Sequence, residues 1–491
     1  MTLTELATAP AATQGSVTLS WDAVCALNAT QLSNFCFAQY VQAGPTTPAS
    51  RLRVTVPDTG STYWLLDLTL GPPRVSFPVA PDPADGPQCV LTLEILRGTV
   101  LSFDGNTAQI LSSVQLQPNQ NLLTGAVNLA KVDGAEDTVG HVTLDLGSGA
   151  YSPTIEGVEP NSTLAANIAT AIQTYFRSCG ASYLLGTLAR SSTTPACLQP
   201  VHFDLYSQPA PDGSGDGCVL VFIQTNSGGT PLPGPLTPYP IADGYTASLL
   251  ISNQVLFNQL LPDGTLAGSL QAQFHPFGTI FSGVQNNGVY ATVGNKGNVS
   301  LGQISGLADD TGDLILSVTN GDSSPSSNPD AKVVVPMNNF TLSPGGTTLA
   351  VNWTQVNTQW WASMPPSKFP SYQTESGAGT TTWTQQASPA VDSANNISFT
   401  TKNLNVSYVP QQYSWWDDFI GYFDLSGEMT SQITNNLKSV LAGYQVPSVS
   451  TFSLLNLLFP AAHLITLTQA AIPCDLVAVG HVNAPLAVVP A

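Results

Sequence analysis

Charge is what this sequence has least of. Of 491 residues only 9% are charged, with 12 Lys and Arg against 31 Asp and Glu and a formal net charge of −19. An ordinary soluble domain carries about 25% charged residues. With 43% hydrophobic residues, the chain still lacks the low-hydrophobicity, high-charge signature of disorder. The few bases form no cluster, which excludes the electrostatic footprint of a nucleic-acid binder. Electrostatic docking on anionic lipid headgroups is excluded for the same reason. No stretch approaches ~20 apolar residues without polar interruption, so no transmembrane segment is expected. The opening MTLTELATAPAATQGS has neither a basic nor an apolar region, so no secretory signal is expected. A cytoplasmic location is the resulting expectation, with non-classical release as the other route.

Catalytic motifs are also missing. There is no G-x-S-x-G, H-E-x-x-H, Walker A or G-x-G-x-x-G pattern. Gly294-Asn295-Lys296-Gly297 lacks the Ser or Thr of a phosphate loop and reads as a hairpin turn. Asp309-Asp310-Thr311-Gly312-Asp313 is too short for a calcium loop and also reads as a turn. His141, His202, His275, His463 and His481 pair with no ligand at metal spacing. Cys25, Cys36, Cys89, Cys179, Cys197, Cys218 and Cys474 are odd in number and never form C-x-x-C. They read as mostly buried free thiols in a reducing compartment, with one or two disulfides as the alternative. No catalytic residue, metal site or cofactor is assigned, and an enzyme is the least supported reading.

What the chain does have is Thr, Ser, Asn and Gln, with 41 Gly and 38 Pro. Gly and Pro at that density punctuate strands and predict a β-rich fold with many turns. Alternating apolar residues predict strands at Ser61–Leu70, Cys89–Leu96, His141–Leu146, Cys218–Gln224, Leu314–Val318, Val333–Met337, Ile397–Thr401, Leu404–Tyr408 and Leu476–His481. Four segments read as helices. In 163–178, Leu164, Ile168, Ile172, Tyr175 and Phe176 share a face, with Asn161 or Ser162 as cap and Gly180 as stop. In 427–442, Met429, Ile433, Leu437, Val440 and Leu441 do the same after Ser426. Segment 245–261, YTASLLISNQVLFNQLL, is apolar on most faces and predicts a buried helix that a sheet must wrap. Segment 22–41 is a weaker helix that Asn28 and Gln31 interrupt.

The Pro-rich 226–240 run reads as a linker or long crossover. It divides the chain into an N-terminal module (1–225), a linker (226–242) and a C-terminal module (243–491). The similar order of helices and strands in the two halves is consistent with a diverged duplication. Six of the eight tryptophans, Trp353, Trp360, Trp361, Trp383, Trp415 and Trp416, crowd the second half. Pro365-Pro366 and Pro370 place Trp360–Tyr372 on an irregular loop. Such a cluster plugs one end of a β-structure, forms a partner-binding patch, or contacts a membrane or lipid.

Trp21-Asp22 opening an amphipathic stretch, Asp243-Gly244-Tyr245 leading into Leu249-Leu250-Ile251-Ser252, Trp-rich loops and a late helix near 430 form a recognisable layout. It resembles the P47 and OrfX proteins of clostridial neurotoxin clusters, within the TULIP (tubular lipid-binding) superfamily. The resemblance implies a mainly β (α+β) fold in which long helices are wrapped by highly curved antiparallel sheets, here as two modules. It also implies an apolar groove between helix and sheet that holds lipid. The candidate groove residues are Leu164, Ile168, Ile172, Leu250, Leu256, Met429, Ile433 and Leu437, all of which also suit plain core. The leading expectation is a non-enzymatic bacterial lipid- or apolar-ligand-binding protein accessory to a toxin system. Its partners would be a lipid or fatty-acyl ligand and a protein from the same cluster. A protein–protein scaffold using the Trp-rich loops is the alternative, and a structural β-rich assembly protein the third.

Overall fold

The computed structural model describes residues 3, 16–44, 47–78, 86–133, 138–189, 198–225, 231–256, 281–285, 288–293, 298–300, 303–308, 314–320, 334–336, 341–344, 348–364, 373–410, 431, 434–435, 438, 448–449, 465–472 and 475–482. The first strand is β1 (Ala23–Asn28), followed directly by helix α1 (Ala29–Ala43). Eight strands come next: β2 (Arg51–Pro57), β3 (Thr62–Leu70), β4 (Arg74–Ser76), β5 (Gln88–Asp104), β6 (Ile110–Leu116), β7 (Leu122–Asp133), β8 (Thr138–Asp145) and β9 (Ala150–Thr154). Helix α2 (Thr163–Cys179) and strand β10 (Ser182–Ala189) close this unit. Strands β2 to β10 form one nine-stranded sheet that curls into a half-barrel. The helices lie against it, α1 on β4 and β10, α2 on β2 and β9.

Next come β11 (His202–Gln208), β12 (Cys218–Gln224) and β13 (Ala247–Ile251). Seven strands of the second half then follow: β14 (Phe281–Gln285), β15 (Gly288–Val293), β16 (Asn298–Ser300), β17 (Gln303–Ala308), β18 (Leu314–Asn320), β19 (Val334–Pro336) and β20 (Thr341–Pro344). Long strands β21 (Leu349–Met364), β22 (Gln373–Val391) and β23 (Ile397–Pro410) precede β24 (Ile465–Ala471) and β25 (Leu476–Val482). The long strands join five of the seven in an eight-stranded sheet, and β16 pairs β19 alone.

The remaining strands build a six-stranded sheet in the order β11-β12-β1-β13-β25-β24. Its centre is the antiparallel pair β1–β13, with Cys25 opposite Leu249. Either side of that pair carries the last two strands of its own half. Read outward from the centre, the order is the same on both sides: first strand, last strand, last but one. One face of this sheet, with Cys25, Val221 and Leu249, enters an apolar core shared with the half-barrel and the second half. The other face, with Val24, Phe222 and Leu250, forms a second cluster with Trp21, Leu236 and Ile241. The Pro-rich crossover over 231–242 thus lies on the back of the sheet. Gln208 fastens it, its amide bonding both backbone groups of Leu236 at 2.9 and 3.0 Å.

Two helix expectations are corrected. Segment 245–261 is not a helix from its start: Ala247–Ile251 is a strand, followed by one helical turn at Asn253–Val255. Apolarity on every face suits a strand buried on both faces as well as a buried helix, and every residue of β13 is buried. Segment 22–41 likewise begins as β1. Asn28, read as an interruption, is the N-cap of α1 and accepts the Gln31 N–H at 3.1 Å. The 163–178 helix stands as expected. Ser162 caps it through the Ala165 N–H at 3.1 Å, and left-handed Gly180 ends it. Of 427–442, the described Ser431, Thr434, Asn435 and Lys438 are helical and form a polar i, i+3, i+4, i+7 face. Two predicted strands, Ile397–Thr401 and Leu404–Tyr408, are one continuous β23, which turns through Asn403 at φ 53°.

Side-chain amides and hydroxyls close several strand edges. Gln39 of α1 donates to the Leu184 carbonyl at 2.6 Å and accepts the Leu184 N–H at 3.0 Å, copying a β-ladder on edge strand β10. Asn395 does the same for β24, bonding the Ile465 carbonyl and the Leu467 N–H. On β2, the Tyr175 hydroxyl and the Asn167 amide of α2 donate to the Arg51 and Pro57 carbonyls. A neutral amide offers one donor and one acceptor in the spacing of a peptide group. Gln39→Ala is expected to lower stability by about 1 kcal/mol. It should also speed hydrogen exchange at the Leu184 amide while core amides of β7 keep their rates. Unchanged exchange at Leu184 would contradict the edge-closing role.

Candidate functional site

Three of the predicted groove residues lie on α2, against the half-barrel. Ile168 and Ile172 of α2 are fully buried in the shared core, and Leu164 packs against it half-buried. Leu256 is buried in the same cluster. Leu250 is not there. It was expected on a helix face, but strand alternation turns it onto the back of the six-stranded sheet, beside Trp21 and Phe222. Met429, Ile433 and Leu437 lie outside the described residues. Leu164, Ile168 and Ile172 thus share one face of α2.

The tryptophans do not form one loop cluster. Trp360 and Trp361 were placed on an irregular segment but belong to strand β21, opposite Gly377 and Ser376 of β22. The described strand runs to Met364, so both tryptophans lie within a regular ladder. Trp353 sits opposite Trp383 in the same ladder, and Trp383 is fully buried in the core. Trp415 and Trp416 lie outside the described residues.

Sequence reasoning missed a concave pocket of about 560 Å³ beside the N-terminus of α1. It lies between the 210–216 turn and the 239–245 segment, and its walls carry Asp212, Asp216, Asp243, Tyr239 and Tyr245. Asp216 accepts the Thr30 N–H at 3.1 Å and the Thr30 hydroxyl at 3.2 Å. That places a carboxylate at the positive end of the helix dipole. Backbone and side-chain hydrogen bonds from Ser214 hold the exposed Asp212 carboxyl below its ordinary range. Burial, then the neighbouring Cys218, drives the Tyr239 phenol above its own. Burial pushes the Cys218 thiol up to about 12. The pocket therefore offers acceptors and phenol rings, and the buried Cys218 thiol beside Tyr239 stays protonated at neutral pH. Only Pro211-Asp212-Gly213 hinted at this place, and it reads simply as a turn.

The other buried thiols behave alike. Cys25, Cys36, Cys89 and Cys218 are buried and free, and Cys179 is exposed. Burial raises Cys25 and Cys89 to about 12. His202 stacks on Trp21 at 6.0 Å, and His481 lies 5.3 Å from Tyr245. Among the described residues no group of His, Cys, Asp and Glu is placed to hold a metal ion. Among them, too, no helix is long and apolar enough to cross a membrane.

Asp475, just before β25, is a fully buried carboxylate. It accepts the Val17 N–H at 2.7 Å, the Ser16 hydroxyl at 3.0 Å and the Asn253 N–H at 2.9 Å. Burial raises its carboxyl to about 6, and the three hydrogen bonds oppose that rise. The folded value lies above the unfolded one, so the native state retains a proton that the unfolded chain releases. The stability from this site is complete below about pH 4 and is lost as pH rises through about 6. One proton over that window is worth roughly 2–3 kcal/mol. Urea-unfolding free energies from pH 4 to 7 should fall less steeply in Asp475→Asn than in the wild type. Parallel pH profiles would refute the assignment.

No protein-family model matches the chain, and no curated protein matches it by sequence. Solved structures do. P47 of Clostridium botulinum E1 superimposes with a TM-score of 0.60 at 12% identity, covering 96% of this chain and 100% of that one. P47 from Clostridium botulinum A2 gives 0.53 at 12% identity, covering 94% and 98%. A lipopolysaccharide binding protein covers 94% and 99% at 10% identity, but its TM-score of 0.32 is too low to bear on the fold. At such low identities the likeness concerns architecture, and it runs through both halves of the chain: this protein has the fold of P47.

Proposed function

We propose that the chain is a non-enzymatic protein that binds lipid or another apolar ligand in the manner of TULIP proteins, as an accessory to a bacterial toxin system. The observation that carries this reading is the continuity of the apolar interior. One cluster runs from the half-barrel (Leu66, Leu91, Leu123) past Phe35 of α1 and Ile172 of α2. It continues to the six-stranded sheet (Ile223, Leu249) and on to Trp383 and Ile397 of the second half. An interior that is apolar along both halves is a medium for an acyl chain, whose burial contributes about 0.8 kcal/mol per methylene whatever the surface charge. The seam between α2 and the half-barrel, at Leu164, Ile168 and Ile172, is the place of entry in this proposal. The P47 likeness supports the toxin-associated setting, and with it a protein partner from the same cluster.

Organic extraction of the purified protein followed by lipid mass spectrometry tests it. Stoichiometric phospholipid or fatty acid is the expected result, with uptake of a fluorescent fatty acid by the extracted and refolded chain. An empty protein that also refuses added fatty acid and phospholipid would overturn the proposal. The curled sheet would then serve only as a scaffold.

A further inference from the structure

Helix α2 lies along strand β2, which pairs with β3 on its other side. Two hydrogen bonds fasten this seam, one at each end of the strand. The Asn167 amide donates to the Pro57 carbonyl at 3.1 Å, and the Tyr175 hydroxyl to the Arg51 carbonyl at 2.7 Å. Both bonds are exposed to solvent. Helix α1 is held by better-protected groups: the Tyr40 hydroxyl donates to the Leu70 carbonyl at 3.0 Å, and Ser33 accepts the Val75 N–H at 2.9 Å. Between the two fastenings of α2 the cover thins. Alternation turns Leu52, Val54 and Val56 to the inward face of β2. Leu52 and Val56 are fully buried, but Val54, packed against the same core, is only half-buried. The apolar interior is therefore thinly covered midway along this seam.

The outer face of the same strand carries positive charge. The sequence has no run of bases, but the ladder gathers three of the chain's 12. Arg51 lies opposite Thr69, and Thr69 opposite Arg97. Arg53 lies opposite Asp67, two residues further along the same face. All three arginines are exposed. Asp67, the acid within this patch, is matched by Arg51 at 3.6 Å. Arg97 bonds the neutral Thr69 hydroxyl, and among the described residues no carboxylate pairs with Arg53 or Arg97. Neighbouring strands lie about 4.8 Å apart, so Arg53 and Arg97 flank a gap two strands wide. A guanidinium fork matches a carboxylate or a phosphate, and a chain of net charge −19 offers an anion few such places. We propose that the α2–β2 seam is the portal for an acyl ligand with an acidic head, carboxylate or phosphate. The head rests on Arg53 and Arg97, and the acyl chain passes the edge of β2 beside Val54. Release of Tyr175 from the Arg51 carbonyl widens the seam. This assignment rests on the lipid-binding reading above and adds the ligand's charge and its gate.

The test uses the full chain. Calorimetry measures binding of oleic acid, its methyl ester and lysophosphatidic acid, and stopped-flow with a fluorescent fatty acid measures the rate of uptake. The wild type is expected to bind both acids more tightly than the ester. Arg53→Gln combined with Arg97→Gln should weaken acid binding at least roughly tenfold and leave ester binding unchanged. Both positions are exposed, and circular dichroism checks the fold. Tyr175→Phe removes only the hydroxyl and should speed uptake roughly fivefold. The relative strength of the two acids identifies the head as carboxylate or phosphate, and either order supports the site. A wild type that does not favour the acids would overturn the portal while leaving lipid binding intact. So would unchanged acid binding in the double variant, or an unchanged uptake rate in Tyr175→Phe. A wild type that takes up none of the three would overturn the lipid-binding reading itself, and the portal with it.

Discussion

The pairing of β1 with β13 is the constraint from which the rest of the molecule follows. Residues 23–27 and 247–251 lie more than two hundred positions apart, yet they form the centre of one sheet. Both strands are buried on both faces, so neither can fold against water alone. Their front faces complete the core beneath the half-barrel, and their back faces require the Pro-rich crossover as a cover. The two halves are therefore bound by a shared ladder as well as by surface contact. Asp475 tightens the same junction. Its carboxylate gathers the N-terminal segment at Val17 and the helical turn at Asn253 beside the start of β25.

The low charge of the chain acquires a physical reason from this architecture. Long curled sheets have many edges, and edges need partners for their peptide groups. Many proteins guard them with charge. Here neutral amides do much of that work: Gln39 on β10, Asn395 on β24, and Gln208 on the crossover at Leu236. Each contributes both a donor and an acceptor, so a peptide-like ladder continues without a buried charge to desolvate. The Asn- and Gln-rich composition is thus tied to topology.

The strands were legible because alternation is a local signal, and nearly every predicted strand reappears within a few residues. Helix α2 was equally legible, with its Ser162 cap, its Ile168–Ile172–Phe176 stripe and its Gly180 stop all within one stretch. The errors lie where one local pattern has two physical solutions. Leu249-Leu250-Ile251 is apolar whether it forms a buried helix or a doubly buried strand. Trp360-Trp361 lies close enough to Pro365 to read as a loop, although both tryptophans lie within a regular ladder. Leu164, Ile168 and Ile172 share a face of α2, whereas Leu250 faces the back of the sheet, because a strand's period of two divides its residues differently from a helix's 3.6.

Composition and periodicity, which act residue by residue, determined that this chain is β-rich, poor in charge and free of recognisable catalytic motifs. They also determined α2 and most of the strands. Only the tertiary structure decided which strands lie side by side, since pairing depends on residues hundreds of positions apart. It made 247–251 a strand by offering it two neighbours, placed Trp383 in the core, and brought three aspartates and two tyrosines to one pocket beside α1. Those outcomes rest on non-local hydrogen-bond ladders and on shared burial, neither of which any local stretch of sequence encodes.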